Sequence, residues 1–240
     1  MTTQEFSNEF DTVLQTTIAQ QEEGIQNPLS FDEYEKSVFL TKAQENIVLE
    51  LYSGRQTGIS FEKTEESRRY LSNLILTTTI TSFNTDIDTN IGITTNYSYF
   101  CSIPTDLWFI TYESATLEDD ALKCGNTSIA SVIPVKQDYV YSILNNPFRG
   151  PSDIRVLRLD IGKDKVELIS KYNIKDYTIR YIEKPKPIIL TNLPDDLKIN
   201  GVYIKTECKL NSALHRRILD EAVRLAVLSK MPTSNTAQQQ

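Results

Sequence analysis

The change of hydrophobic pattern near Leu76 constrains the fold of this chain more than any other feature. Before it, apolar residues recur at helical spacing, as Phe6, Phe10 and Leu14 do at intervals of four. After it, residues 77–95 hold eight threonines in 19 positions. β-Branched side chains lose rotamer freedom in a helix and pack well on a strand. Since no Gly/Ser linker separates the two patterns, we predict one α+β unit.

The first third of the chain is predicted to form three helices. The first covers residues 3–21. Ser30 and Glu33 have the spacing of a capping box, which predicts the start of a second helix that ends just before Gly54. A third begins after Thr64.

The remaining elements are mostly strands. A hairpin with Gly162 in its loop and a short helix over 138–146 are expected among them. The last helix runs from Asn211 to about Lys230. The predicted strands are 97–103, 107–113, 128–135, 154–161, 165–172, 177–183 and 188–190.

The predicted fold class is therefore α+β, with N-terminal helices, a central mostly antiparallel β region and a C-terminal helix. We expect a single domain over 1–230. Its parts are a helical part (1–76), a β-rich part (77–210) and the C-terminal helix (211–230). The uncharged polar residues 231–240 are predicted to form a flexible tail.

Composition argues against most enzyme classes. With one histidine, three cysteines and eight glycines, the chain has no HExxH motif, no paired cysteine ligands and no phosphate-binding glycine loop. Cys101, Cys124 and Cys208 are predicted to be free, buried thiols. No apolar run is long enough to span a membrane, and the N-terminus does not resemble a signal peptide. We expect no catalytic residue, cofactor, metal or membrane partner.

Two carboxylate-rich segments contain the residue types of a metal site. Asp86, Asp88 and Asn90 resemble the start of a calcium loop. Ile91 replaces the required glycine and Tyr97 the bidentate glutamate, so a polar loop is the better interpretation.

Other candidate catalytic groups have simpler interpretations. The run Glu118-Asp119-Asp120 cannot direct three consecutive acids at one site, which favours a solvated loop. Cys208 and His215 could form a nucleophile and base, but a surface histidine is the better interpretation.

Aromatic residues suggest either a core or an interface. We predict that they cluster on two adjacent strands, as cross-strand core pairs or as a binding surface. The six are Tyr97, Tyr99, Phe100, Trp108, Phe109 and Tyr112.

The net charge of −7 is divided unevenly along the chain. Residues 1–76 carry −7, residues 77–130 carry −6 and residues 131–240 carry +6. One interpretation is two solvated surfaces. The other is self-complementarity, in which one subunit's acidic half meets its neighbour's basic half, as head-to-tail rings require.

Several segments in this order resemble a virion protein of the crAss-like tailed phages that infect gut Bacteroidetes. The resemblance covers about residues 3–230 and is closest over 30–75 and 177–230. Its segments are FDEYEKSVFLTKAQENIVLELYSGR, FEKTEESRRYLSNLI, YTIRYIEKPKPIIL and ILDEAVRLAVLSK.

The resemblance implies a structural head-to-tail connector rather than an enzyme. Such proteins form rings, commonly of twelve subunits, below the portal, where they join the capsid vertex to the tail. The implied partners are other copies, the portal protein, other tail ring proteins and genomic DNA that passes without sequence-specific binding. The implied location is the head-tail junction of a virion assembled in the bacterial host cytoplasm.

Charged flanks of the long helices are the predicted subunit interface, although solvated flanks would look the same. The predicted residues are Glu45, Glu50, Arg68, Arg69, Arg216, Arg217 and Arg224. Two alternative functions stay open: a soluble protein-binding adaptor that forms no ring, and a metal-dependent hydrolase or nuclease. The second would use Asp86, Asp88, Glu118, Asp119 or Asp120.

Overall fold

The computed structural model describes residues 1–21, 30–54, 65–84, 98–122, 125–194 and 196–230. The helices within these ranges are α1 (Thr3–Gln21), α2 (Glu33–Ser53), α3 (Glu65–Leu71), α4 (Val140–Leu144) and α5 (His215–Lys230). The strands are β1 (Ile75–Ile80), β2 (Ser98–Ser102), β3 (Leu107–Glu118), β4 (Thr127–Pro134), β5 (Arg155–Asp160), β6 (Lys165–Ile169) and β7 (Ile174–Glu183). The predicted α+β class is confirmed.

The chain divides into two compact units. Unit 1 combines Met1–Leu74 with Pro185–Gln240, and unit 2 is the intervening segment Ile75–Lys184. Unit 2 therefore begins where helical spacing gives way to β-branched residues. It ends in the KPKP segment, where two prolines restrict the backbone to extended conformations.

Helix α1 has the bounds that its apolar spacing predicts. Phe6, Phe10 and Leu14 lie on one face of this helix and are buried. Helix α5 buries a longer stripe against α1 and α2. The buried residues of that stripe are Ile218, Leu219, Ala222, Val223, Ala226 and Val227.

The N-terminal cap of α2 is Asp32, so the predicted capping box of Ser30 and Glu33 is wrong. The Asp32 carboxylate accepts from the Glu35 backbone N–H at 2.7 Å, and the Glu35 carboxylate accepts from the Asp32 N–H at 3.1 Å. Ser30 with Glu33 and Asp32 with Glu35 have the same spacing, and the capping box that forms is the one with Asp32 at the N-cap. The predicted end of the helix is confirmed, because Gly54 has a φ of 64° and donates its N–H to the Glu50 carbonyl.

Polar residues of α2 bind the backbone that follows the KPKP segment. The Leu190 N–H donates to the Ser37 hydroxyl and the Ile188 N–H to the Thr41 hydroxyl, each at 3.1 Å. The predicted strand over 188–190 is wrong, since the structure has an isolated bridge there. Helix side chains rather than a sheet ladder satisfy these buried backbone groups.

Unit 2 contains a curled seven-stranded sheet in the order β1-β7-β3-β4-β5-β6-β2. All neighbours are antiparallel except β4 and β5, which are parallel and joined by a crossover that contains α4. The predicted hairpin is confirmed as β5 and β6, with Leu157 opposite Ile169. The predicted alternation in β7 is also confirmed, because Tyr177, Ile179 and Tyr181 are all buried.

Two groups of apolar side chains form the core of unit 2. The larger fills the interior of the curled sheet and includes Ala115, Val132, Val156, Leu168 and Tyr177. The smaller lies on the opposite face of β5 and β6, where α4 covers it. The short helix predicted over 138–146 thus forms, at 140–144, because it covers this second apolar face.

Candidate interaction surfaces

Two arginines of α5 bind acidic residues from the N-terminal helices of unit 1. The Arg217 guanidinium donates to the Glu50 carboxylate of α2 at 2.5 Å. Arg216 donates to Glu9 of α1 at 2.9 Å. Three of the predicted interface residues therefore bind within the chain, between helices that are distant in sequence.

The other predicted interface residues are less constrained. Arg224 forms a bidentate pair with Glu221 at 2.7 Å, which lowers the pKa of that carboxyl group. Arg69 pairs with Glu65 at 2.7 Å, and Glu45 accepts from the Asn200 amide at 3.0 Å. Their contact with a neighbouring subunit stays a prediction.

Arg68 differs from the other arginines of the set. It is exposed near the end of α3 and has no ion-pair partner within the described residues. Its guanidinium is thus the most available of the predicted contacts.

The acidic and basic parts of the sequence fold together rather than apart. Unit 1 unites the acidic residues 1–74 with the basic residues 185–240 and carries 18 acidic and 14 basic side chains, net −4. Unit 2 carries 14 acidic and 11 basic side chains, net −3. The acidic and basic segments are therefore not separate units, and their opposite charges partly pair inside unit 1. Charge complementarity between neighbouring subunits stays a prediction.

A buried lysine joins α1 to α2. The Lys36 ammonium donates to Asp11 at 2.7 Å, Glu33 at 3.1 Å and Ser7 at 3.3 Å. Burial disfavours its charge, but the bonds to Asp11 and Glu33 outweigh this, and the pKa of Lys36 is raised. Sequence reasoning missed this group. The signal was available, since Lys36 precedes the buried Leu40 by one helical turn.

An ion pair also lies inside the curled sheet of unit 2. Arg158 of β5 pairs with Glu113 of β3, and their side chains are 9% and 6% exposed. Arg158 also contacts the exposed carboxylate of Asp160 at 3.0 Å. Alternation places Arg158 on the same face as Val156, yet nothing local in the sequence indicates its partner, because β3 and β5 are not neighbours.

Cys208 and His215 do not form a nucleophile and base. The Cys208 thiol donates to the Gln44 side-chain oxygen at 3.2 Å, while the His215 ring contacts the Met1 amino group and the Leu210 carbonyl. Burial raises the pKa of Cys208 to about 11, so its thiol is protonated at neutral pH.

His215 corrects one prediction and Cys101 confirms another. His215 is buried rather than on the surface. Its pKa is lowered, mainly by burial and to a lesser extent by the positive charge of the Met1 amino group. Cys101 is a free, buried thiol as predicted, and burial raises its pKa to about 12. Cys124 lies outside the described residues.

The acidic run is engaged in local contacts. Glu118 pairs with Lys175 at 3.0 Å, Asp119 accepts from the Ala121 N–H at 2.9 Å, and Asp120 accepts from Asn126 at 3.1 Å. In the described part of the chain, no group of three or more His, Cys, Asp or Glu residues is arranged to hold a metal ion.

Other sequence features fall outside the described ranges. The calcium-loop candidate Asp86, Asp88 and Asn90 does so, as does the predicted tail over 231–240. No described helix combines the length and apolar character that crossing a bilayer would need.

The predicted aromatic cluster is split between distant strands. Strand β2 pairs with β6, whereas β3 lies between β7 and β4, so the prediction of two adjacent strands is wrong. Trp108 stacks on Phe109 at 4.9 Å, and Tyr99 contacts Phe83 edge-on at 6.0 Å. Tyr97 lies outside the described residues.

Within the described residues, the most exposed large apolar side chains lie elsewhere, on β4 and the crossover to β5. Phe148 is 86% exposed, Ile129 72%, Tyr141 65% and Ile154 63%. Sequence reasoning assigned no role to them. The only available signal was the phenylalanine in the polar turn NNPFRG, where no helix or strand period requires an apolar residue.

Comparison with known proteins identifies the family. Residues 1–238 match the family described as phage tail ring protein 3/4. Ring protein 3 of Bacteroides phage crAss001 is 51% identical over 232 residues, which cover 96% of each chain. Ring protein 4/5 of the same phage is 31% identical over 242 residues, covering 94% of this chain and 92% of the relative. The charged helix flanks and exposed apolar side chains thus belong to a structural virion protein, and the chain is a member of the crAss-like phage tail ring protein 3/4 family.

Proposed function

We propose that this chain forms a ring of twelve copies below the portal, joins the capsid vertex to the tail and surrounds the channel through which DNA leaves. The observation that carries this proposal is the family match along almost the whole chain, together with 51% identity to a ring protein over 96% of its length. Because similarity extends through both units, neither unit is an addition to a different kind of protein.

The chain is proposed to occupy the position of ring protein 3 in the stack. Two ring proteins of one phage resemble it, at 51% and 31% identity. A sequence adapted to the position of ring protein 4/5 would be expected to be more similar to ring protein 4/5 than to ring protein 3.

Charge supports a channel that does not retain DNA. Both units are net negative, at −4 and −3, so phosphates gain little from binding to the wall. The exception would be a wall formed mainly by Lys163, Lys165, Lys171 and Lys175. Such a lining would contradict this part of the proposal, although Lys175 already pairs with Glu118.

The experiment is a mass measurement of the purified chain, alone and with its phage's portal protein, followed by electron microscopy of virions. We expect a closed oligomer, or a monomer that assembles on the portal, and density for the chain at the head-tail junction. A monomer that binds the portal without assembling would favour the adaptor alternative.

The enzyme alternative needs its own test. The purified chain should leave DNA intact in the presence of Mg²⁺ or Mn²⁺. Degradation that disappears in the variant Asp120→Asn, but not in a matched exposed control such as Asp138→Asn, would contradict a purely structural role.

A further inference from the structure

The turn that carries Phe148 is fixed by hydrogen bonds on both sides of this residue. The Phe148 N–H donates to the Asn146 side-chain oxygen at 2.9 Å, and the Phe148 carbonyl accepts from the Arg155 guanidinium at 2.6 Å. The Gly150 N–H closes the turn on the Asn146 carbonyl at 2.8 Å. A Cβ at Gly150 would lie 3.1 Å from that same oxygen, so the turn is also tightly packed.

This fixed turn holds a phenylalanine out from the protein. At 86% exposure, the ring contributes almost nothing to the apolar core. A rigid aromatic side chain binds at low entropic cost because its backbone is already ordered. Such residues are typical anchors of protein interfaces.

Hydrogen bonds of the backbone link the Phe148 turn to the segments that carry two other exposed apolar residues. Arg155, which binds the Phe148 carbonyl, follows Ile154 in sequence. The Ile154 carbonyl accepts from the Ser131 N–H at 2.9 Å, and Ile129 lies two residues before Ser131 on the same face of β4. We call Ile129, Phe148 and Ile154 the Phe148 surface.

The charges around the Phe148 surface differ from those of the rest of the chain. Arg149 and Arg155 lie in and beside the Phe148 turn, Lys171 lines a pocket together with Pro151, and Asp153 precedes Ile154. Glu118, on the strand paired with the Ile129 segment, is neutralised by Lys175. This local set has a net charge of +2, which leaves −9 for the remainder of the chain. Two Phe148 surfaces facing each other would bring like charges together, whereas another part of a second copy offers the opposite charge.

We propose that the Phe148 surface binds a second copy of this chain, in a head-to-tail contact with a different surface of that copy. This inference rests on the proposed ring, in which every subunit has two neighbours and uses two different surfaces to bind them. The contact buries Phe148 at the subunit boundary, and the basic groups face the acidic remainder of the neighbour.

The first test is site-specific photo-crosslinking. Phe148 is replaced by a benzophenone-bearing phenylalanine, and Tyr203 of unit 1 by the same residue as a matched aromatic control. Both are examined in purified assemblies and in virions. We expect position 148 to form covalent dimers of this chain, with the crosslinked peptide away from residues 129–155.

Three results of that test would overturn the proposal. These are a crosslink from Phe148 to a different virion protein only, a crosslink from Phe148 to the same turn of a second copy, and no self-crosslink at all.

The second test uses the variants Phe148→Asp and Ile154→Asp, with Ile204→Asp as an exposed apolar control in unit 1. We expect each of the first two to weaken self-association at least about tenfold, since interface anchors dominate binding. The control should assemble like the unchanged chain. Because Phe148 and Ile154 are exposed, thermal unfolding of these variants should stay close to that of the unchanged chain.

The two proposals can fail separately. If the unchanged chain forms rings and Phe148→Asp forms them equally well, the Phe148 surface is not the contact and the ring stands. If the unchanged chain is absent from virions and never assembles, the proposed function fails together with this inference.

Discussion

Replacing Arg158 by methionine should destabilise unit 2 by about 3–5 kcal/mol, because it leaves the Glu113 carboxylate buried without its cation. The magnitude follows from burial, since the two side chains are 9% and 6% exposed inside the curled sheet. The second acceptor of Arg158, Asp160, is 64% exposed and contributes little to this cost.

The double variant separates the energy of the Arg158–Glu113 interaction from the contacts that each side chain makes with the rest of the sheet. Arg158→Met with Glu113→Leu removes both charges and leaves apolar side chains against Val156 and Ala115. Well-packed apolar replacements of buried ion pairs are often neutral or stabilising. We expect the double variant to lie within about 1.5 kcal/mol of the unchanged chain. Any cost of Glu113→Leu alone adds to this difference, so the coupling energy of the cycle should be at least about 1.5 kcal/mol.

Trp108 makes the assay specific to unit 2. It is the single tryptophan of the chain and lies on β3, the strand that carries Glu113. Its fluorescence in a urea titration reports the unfolding of this sheet. A matched control is Lys175→Met, which breaks the exposed pair with Glu118 and should cost no more than about 1 kcal/mol.

Two outcomes would refute the reasoning. If Arg158→Met lowers the free energy of unfolding no more than Lys175→Met does, removing Arg158 does not leave Glu113 as an uncompensated buried charge. If the two single costs simply add in the double variant, Arg158 and Glu113 are not energetically coupled.

Three further predictions concern unit 1, measured by helical circular dichroism. His215 is buried with a lowered pKa, so the unfolded state binds its proton more readily and stability should fall as pH drops below about 6.5. His215→Gln should flatten this dependence between pH 5 and 7, and an unchanged slope would contradict it. Asp32→Ala removes the cap of α2 and should cost about 1 kcal/mol in urea unfolding, whereas no loss would mean the cap is dispensable. Phe10→Ala opens a cavity in the buried face of α1 and should cost about 3–5 kcal/mol, and a cost below 1 kcal/mol would contradict that packing.

Local elements were predictable because their causes lie within a few residues. The bounds of α1, the glycine that ends α2 and the β5–β6 hairpin all follow from short-range spacing and backbone preferences. The start of α2 was misplaced by two residues because two candidate caps share the same spacing, and local pattern does not choose between them.

The candidate interface was much less predictable. Charged helix flanks look alike whether they face solvent, a neighbour or another helix of the same chain. Arg216 and Arg217 bind Glu9 and Glu50, which lie 207 and 167 residues away in sequence. The exposure of Phe148 likewise depends on the crossover between two parallel strands, which no periodicity of that segment indicates.

By itself, the sequence determined the order of the five helices and of most strands, the switch from helix to strand near Leu76 and the family of phage ring proteins. These depend on neighbouring residues or on similarity along the chain. Only the tertiary structure decided that residues 185–240 fold with residues 1–74, so that the basic end partly neutralises the acidic beginning. It also decided that Arg158 meets Glu113, because such pairs form between segments that the fold brings together. Short-range preferences depend on neighbouring residues alone, whereas the pairing of distant charges and the exposure of a side chain are defined only once distant segments have packed.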